Sequence, residues 1–185
     1  MVINDVITIT NDLRTALSHI FESQLHEIEH HTNELLTYTD IKYSHEFEYH
    51  NLYTVDHNNL IRSVDGHLLM SVFNFNNKNT SRIFKLLDLS KHRPKINGIR
   101  VYSNSELPMH MDLNKGEIGR DNPIYSIVLS GSDGTIFISN KSDGSKLVAL
   151  PGLSEFVMYP TLIQHGAKSG LEHMDVLQIQ LSALS

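Results

Sequence analysis

Only one long segment, near the start of the chain, has apolar residues at helical spacing. Between residues 11 and 37 they fall mostly on one stripe, with Asn11 or Asp12 as the expected N-cap. The members of this stripe are Leu13, Leu17, Ile20, Phe21, Leu25, Ile28 and Leu35. The pattern predicts an amphipathic helix within residues 1–38 that packs on the outside of the rest of the protein.

After residue 38 the pattern changes to short runs of β-branched and aromatic residues between turn-forming clusters. Residues 39–98 predict flanking strands and one short helix over RIFKLLDL, residues 82–89. In residues 99–185 turn signals recur about every ten residues, which is typical of an antiparallel barrel or sandwich. The runs there are IRVY, IYSIVLSG, GTIFIS, KLVALPG, EFVMYP and DVLQIQLSAL. We therefore predict a single α+β domain over residues 1–185, with its β core in 99–185.

Composition narrows the chemistry that this domain can perform. The net charge of -6 argues against a broad surface for nucleic acid. The chain has no cysteine, so disulfides and thiolate ligands are excluded and a transition metal must be held by imidazole and carboxylate. No run of apolar residues is long enough to span a membrane, and the first residues lack the basic region of a signal peptide. The expected location is the cytoplasm.

The best candidate for a metal site is the segment SELPMHMDLNKG, residues 105–116. His110 and Asp112 lie two residues apart, so on a strand both side chains point to the same face and can reach one ion. His165, in PTLIQHGAKSG, is the candidate third ligand. Two imidazoles and one carboxylate on one side of a metal leave the opposite positions open, as in Fe(II) oxygenases.

Spacing alone does not decide between a metal site and a polar strand end that faces water. A second His-x-Asp, formed by His173 and Asp175, reads HMD as well. It stands where the chain enters the last run, and we expect His173 at a partly exposed edge position.

The context of the first triplet favours the metal site, because residues 99–181 resemble the core of the Fe(II)/2-oxoglutarate-dependent oxygenases. The resemblance is carried by IRVYSNSELPMHMD, IYSIVLSG with GTIFIS, LPGLSEFVMYP, and His165 followed by glycine. It is nearest to the prolyl-hydroxylase-like and nucleic-acid-demethylase-like branches, of which the second is weakened because the demethylases' pair of arginines is absent and the net charge is negative. It implies a double-stranded β-helix, a jelly-roll or cupin-like barrel, with an N-terminal buttressing helix. It also implies Fe(II) held by His110, Asp112 and His165, and a hydrogen bond from Tyr102 to 2-oxoglutarate.

The activity implied by the resemblance is hydroxylation of a small molecule or a peptide side chain, with 2-oxoglutarate converted to succinate and carbon dioxide. One feature departs from the family pattern. The distal carboxylate of 2-oxoglutarate usually meets a cation after the second histidine, but no Lys or Arg follows Lys168. Arg120 and Lys168 are the candidates for this role, with Arg100 and protonated His173 as further ones.

Two other functions stay open. The missing cation is also expected of a cupin-like barrel that binds metal or serves a structural role without 2-oxoglutarate chemistry. A literal HExxH motif, His26 to His30, raises a zinc hydrolase as the lesser alternative. The charged Glu29 and the early position of this motif favour a solvated helix face. The substrate and the oligomeric state are not indicated by the sequence.

Overall fold

A computed structural model describes residues 8–30, 53–55, 60–63, 68–89, 95–110, 123–140, 147–160 and 163–180. It contains the helices α1 (Asn11–His30) and α2 (Asn77–Leu86). The strands are β1 (Tyr53–Val55), β2 (Leu60–Ser63), β3 (Leu68–Asn74), β4 (Lys95–Val101), β5 (Glu106–His110), β6 (Ile124–Ser130), β7 (Thr135–Asn140), β8 (Leu147–Pro151), β9 (Glu155–Met158), β10 (Ile163–Lys168) and β11 (Met174–Gln180). Within these ranges, no helix is long and apolar enough to cross a membrane.

Helix α1 forms where the apolar stripe predicts it. Its buried residues include Leu17, Ile20, Phe21 and Leu25, which recur every three or four positions and so share one face. The N-cap differs from the prediction, because Thr10 rather than Asn11 or Asp12 accepts the hydrogen bond, from the Leu13 amide to its Oγ1 at 3.1 Å. The part of the predicted helix after residue 30 lies outside the described residues.

Helix α2 begins and ends earlier than the predicted segment 82–89. Asn76 caps it by accepting a hydrogen bond from the Asn79 amide at 2.8 Å. Gln24 of α1 accepts hydrogen bonds from the Asn76 amide, at 2.8 Å, and from the Asn79 side chain, at 3.0 Å. These bonds attach α2 to α1, and this long-range support explains why the helix starts in the polar residues before its apolar run.

The strands form two antiparallel sheets that confirm the predicted double-stranded β-helix. The large sheet has the order β1-β2-β3-β4-β11-β6-β9, and the small sheet has the order β5-β10-β7-β8. From β4 onward the chain alternates between the sheets, with only β7 and β8 adjacent in both sequence and sheet. Strand β5, which contains Pro108, is an edge strand, where a residue without an amide hydrogen is tolerated.

The large sheet separates two apolar clusters. On one face, α1 and α2 pack against side chains that include Phe73, Ile127 and Ile179. On the other face, Val101, Val128 and their neighbours face Leu107, Ile136 and Ala167 of the small sheet. The expected position of the helix outside the β core is thus confirmed. We call the first face the helix side and the second the cavity side.

One strand lies outside the runs that the sequence analysis identified. His165 follows EFVMYP and precedes DVLQIQLSAL in the sequence, and the structure places it in β10, which pairs with both β5 and β7. The sequence IQHGAK has a glycine and three polar residues and therefore lacks a clear strand signal. Pairing on both sides explains why these residues nonetheless form a strand.

Candidate metal centre

A cavity of about 70 Å³ opens between the two sheets. Its described lining is largely apolar and consists of Met70, Ile99, Val101, Leu107, His110, Ser126, Ile136, Phe156, Met158, His165, Gly166, Ala167, Met174, Val176 and Gln178. No Lys, Arg, Asp or Glu occurs among these described lining residues. The polar groups of this lining are two imidazoles, one hydroxyl and one amide.

The two predicted histidine ligands are brought together by strand pairing. His110, the last residue of β5, is the direct partner of His165 on β10. Their ring centres are 4.3 Å apart and the rings are tilted by 55°. Imidazoles that hold one ion at about 2.1 Å from adjacent octahedral positions have ring centres roughly 4.6 Å apart. The observed separation therefore fits a shared metal ion.

A backbone contact fixes the tautomer of His165. Its Nδ1 lies 2.9 Å from the carbonyl oxygen of Ile163, and a carbonyl oxygen can only accept, so Nδ1 carries the hydrogen. In the neutral ring Nε2 then keeps its lone pair for a metal. A backbone carbonyl on the second ring nitrogen is a usual way to orient a metal-binding histidine.

Two predicted site residues, Asp112 and Arg120, lie outside the described residues. Within the described residues, no group of three His, Cys, Asp or Glu side chains comes together as a metal site. The imidazole pair fits part of the donor set of Fe(II), and the carboxylate proposed to complete it follows His110 by two positions in the sequence.

The structure adds two polar residues to the cavity that the sequence analysis missed. Ser126 of β6 and Gln178 of β11 are direct cross-strand partners and both line the cavity. Ser126 is fully buried, and its Oγ has no hydrogen-bond partner among the described residues. A signal was available for Ser126, because it interrupts the apolar run of β6 at a position on the same face as Val128, whereas Gln178 is one of three polar residues in β11 and gave no such signal.

The cosubstrate residues proposed from the sequence do not join the described cavity lining. Tyr102 is half-buried just after β4, and its ring packs edge-on against His173 with the ring centres 5.4 Å apart. His173 is exposed, as expected, and its Nδ1 lies 3.1 Å from Ser103 Oγ. Lys168 ends β10 and is exposed; it stands three positions after His165, on the opposite face of the strand.

Arg100 and Asp175 lie on the helix side of the large sheet, away from the cavity. Arg100 donates to both carboxylate oxygens of Asp175, at 2.8 and 2.9 Å, and also forms an ion pair with Glu22 of α1. Burial alone would lower the pKa of Arg100, but the two carboxylates outweigh burial and raise it, so the guanidinium stays charged. Asp175 therefore neither repels a ligand in the cavity nor leaves Arg100 available to bind one.

The HExxH motif lies on α1, which packs on the helix side. His26 and Glu27 are exposed, while the side chain of His30 lies outside the described residues. Glu27 accepts a hydrogen bond from the Asn76 side chain at 2.9 Å. This geometry gives no support to a zinc site in a substrate cleft.

No protein-family model matches the chain, and no curated protein matches it either. Among solved structures, a prolyl-4-hydroxylase from Pseudomonas putida aligns with a TM-score of 0.57 at 9% identity, covering 97% of this chain and 91% of that chain. At this identity the likeness shows the fold and not the activity.

Two further structures overlap only in part. An RmlC-like cupin protein from Desulfovibrio desulfuricans aligns with a TM-score of 0.33 at 20% identity, over 48% of this chain and 71% of that one. The capsular polysaccharide assembling protein CapF from Staphylococcus aureus gives 0.37 at 11% identity, over 50% of this chain. The match spans only 24% of the CapF chain.

Proposed function

We propose that this protein is an Fe(II)-dependent oxygenase that consumes a 2-oxo acid as cosubstrate and hydroxylates a small molecule or a peptide side chain. Fe(II) would be held by His110, Asp112 and His165. 2-Oxoglutarate is the cosubstrate that the sequence resemblance implies. The proposal rests chiefly on one observation, the direct pairing of His110 and His165 across two strands at a separation that suits a shared ion.

The donor set suits iron and argues against the hard cations. Imidazole suits iron, zinc, copper and nickel, whereas Mg²⁺ and Ca²⁺ prefer oxygen ligands. A three-residue set leaves coordination positions for a bidentate oxo acid and for dioxygen. Fe(II), when bound, supplies the redox chemistry that activates dioxygen.

The overall reaction is balanced by the oxo acid. The 2-oxo acid loses carbon dioxide and becomes the carboxylic acid one carbon shorter, taking up one atom of dioxygen. The second atom is inserted into a substrate C–H bond as hydroxyl. Two electrons come from the oxo acid and two from the C–H bond, which together reduce dioxygen fully.

The protein's own residues would bind the metal, orient its ligands and exclude water from the centre. The Ile163 carbonyl keeps Nε2 of His165 available, and the strand pairing holds both rings on the cavity side. The apolar lining lowers the local dielectric and limits water access around the centre. Loss of a residue that only hydrogen-bonds to a metal ligand typically lowers metal affinity about 10- to 100-fold. Loss of His110 or His165 removes a ligand itself, so a larger decrease in affinity is expected.

Metal binding is the first test. Anaerobic titration of the full chain with Fe(II), followed by calorimetry and elemental analysis, should give one ion per chain. His110→Ala and His165→Ala should each weaken binding by about 100-fold or more. His26→Ala, an exposed histidine on α1, is the matched control and should leave affinity unchanged. Retained affinity in both cavity variants, or its loss in the His26 variant, would contradict the proposed centre.

A second candidate function is a metal-binding barrel without oxygenase chemistry. It is favoured by the absence of Lys and Arg from the described cavity lining, since a dicarboxylate there has no described cation to meet. Anaerobic addition of a 2-oxo acid to the Fe(II) protein separates the two candidates. A weak visible charge-transfer band, with oxygen uptake once air is admitted, favours the oxygenase. Tight metal binding with neither response favours the second candidate.

A further inference from the structure

The cavity has two chemically different ends. His165 lies in the first half of β10 and Gln178 lies near the end of β11, and β10 leads directly into β11 through residues 169–173. The start of β10 is therefore at the same end of the barrel as the end of β11. His110, His165, Ser126 and Gln178 all lie at this end, which we call the histidine end.

At the opposite end, the described residues that line the cavity are apolar. Val101 pairs with Met174 on the large sheet, and Leu107 pairs with Ala167 on the small sheet. All four line the cavity and are buried. We call this region the inner end.

From this division we infer that the cavity takes a 2-oxo acid with an uncharged apolar tail in preference to the dicarboxylate 2-oxoglutarate. The inference rests on the proposed function, because it places the oxo-acid head at the His110 and His165 centre. A bound head directs its carbon chain away from the ion, and the described residues beyond the histidine end offer only apolar surface. A second carboxylate there loses its hydration without gaining a cation.

Ser126 and Gln178 supply uncharged donors for the head. The Ser126 Oγ is buried on the cavity side and has no hydrogen-bond partner in the part of the chain that the structure describes, an arrangement that ordinarily costs stability unless a ligand uses the group. Its hydroxyl and the adjacent Gln178 amide can each donate to a carboxylate oxygen. These donors recognise the head without a buried cation.

The size of the cavity agrees with a short tail. A volume of about 70 Å³ holds roughly five to seven water-sized groups at about 10–15 Å³ each, which is enough for a branched tail of four carbons but not for a long chain. 4-Methyl-2-oxopentanoate, a monocarboxylate with a branched apolar tail, is therefore the probe of choice.

The test compares this probe with 2-oxoglutarate on Ni(II)-loaded full-length protein, since Ni(II) occupies imidazole and carboxylate sites without turnover. Titration calorimetry should show 4-methyl-2-oxopentanoate binding at least about 10-fold more tightly, because the dicarboxylate must desolvate a charge. Equal or tighter binding of 2-oxoglutarate overturns the inference. Binding of neither oxo acid overturns it as well.

A matched pair of serine variants tests the head contacts. Ser126→Ala should weaken the binding of both oxo acids about 5- to 20-fold and leave the ratio of the two affinities unchanged. The melting temperature of the variant should stay within a few degrees of the wild-type value. Ser71→Ala is the control, because Ser71 Oγ is likewise buried without a described partner but lies on the helix side, opposite Arg100. Unchanged affinity in the Ser126 variant contradicts the assigned contact.

The outcomes separate this inference from the proposed function. If Ni(II) does not bind, or if it binds equally well without His110 and His165, the proposed metal centre fails and the inference fails with it. If Ni(II) binds there and 2-oxoglutarate is preferred, only the inference about the cosubstrate is wrong.

Discussion

On the helix side of the large sheet, charged side chains are buried in pairs, whereas the described residues that line the cavity carry no permanent charge. Arg100 and Asp175 illustrate the first arrangement, each less than one-tenth exposed and joined by two hydrogen bonds. Ser126 and Gln178 illustrate the second. One strand, β11, contributes to both, because Asp175 and Gln178 project from its opposite faces.

This difference follows from what covers each face. On the helix side α1 supplies Glu22 to Arg100, and Arg14 forms an ion pair with Glu155 and donates to the Val128 carbonyl. Each buried charge there has a partner contributed by another element. A cavity that admits ligands lacks such a permanent cover, so uncharged polar groups are less costly there than ions. We therefore expect substitutions on the helix side to change stability, and substitutions on the cavity side to change binding.

The largest expected effect is on the helix side. Arg100→Met leaves the Asp175 carboxylate buried without its cation, which should lower the free energy of unfolding by about 3 to 5 kcal/mol. Denaturant unfolding measures this loss. Where the variant remains folded, its affinity for metal should equal that of the wild type.

The double variant Arg100→Met, Asp175→Leu is the control for this prediction. Removing both charges removes the unpaired carboxylate, so most of the lost stability should return. A double variant as unstable as the single one would show that the pair itself, rather than the stranded charge, accounts for the loss.

A smaller effect is expected from a steric change on the same face. A Cβ at position 98 would lie 2.4 Å from the Phe73 ring, which is itself held between Phe21 and Phe75 with ring centres 5.0 and 5.3 Å away. Gly98→Ala should therefore destabilise the protein by about 1 to 3 kcal/mol. On a Phe73→Leu background the same substitution should cost less, as a double-mutant cycle by chemical denaturation would show. Equal costs on both backgrounds would argue against the clash.

The parts of the fold that rest on local periodicity could be predicted from the sequence. The stripe around Leu17 and Phe21 predicted α1 and its external position, and the runs after residue 99 predicted the barrel. Residues whose structure depends on distant partners were predicted less well. Strand β10 is fixed by two neighbouring strands, and α2 starts early because Gln24, more than fifty residues away, binds its first turn.

In the candidate site, too, some residues could be predicted from the sequence, whereas the positions of others depend on how distant strands pair. The residue types and the family resemblance predicted His110 and His165 as a pair, and the structure makes them cross-strand partners. The faces of Arg100 and Asp175 could not be assigned, because a sequence motif gives no direction to a side chain until the register is known. Asp112 and Arg120 lie outside the described residues and remain predictions.

The smallest expected effect concerns Tyr125, also on the helix side. Burial raises the pKa of its hydroxyl above 10.0, with a further contribution from Glu155, while Arg14 opposes the shift. Between the unfolded value near 10 and the higher folded value, the unfolded chain loses this proton and the folded chain keeps it. The unfolded state then binds fewer protons, so stability should fall as the pH rises through this window.

Tyr125→Phe should remove that part of the alkaline slope. The Tyr125 hydroxyl is buried without a hydrogen-bond partner among the described residues, so at neutral pH its removal should leave stability unchanged or raise it by up to about 1 kcal/mol. Unfolding measured at pH 7 and at intervals above pH 9.5 checks both expectations. A loss of more than about 1 kcal/mol at pH 7 would mean that the hydroxyl has a stabilising partner. A buried hydroxyl without a partner would then no longer be a feature that Tyr125 on the helix side shares with Ser126 on the cavity side.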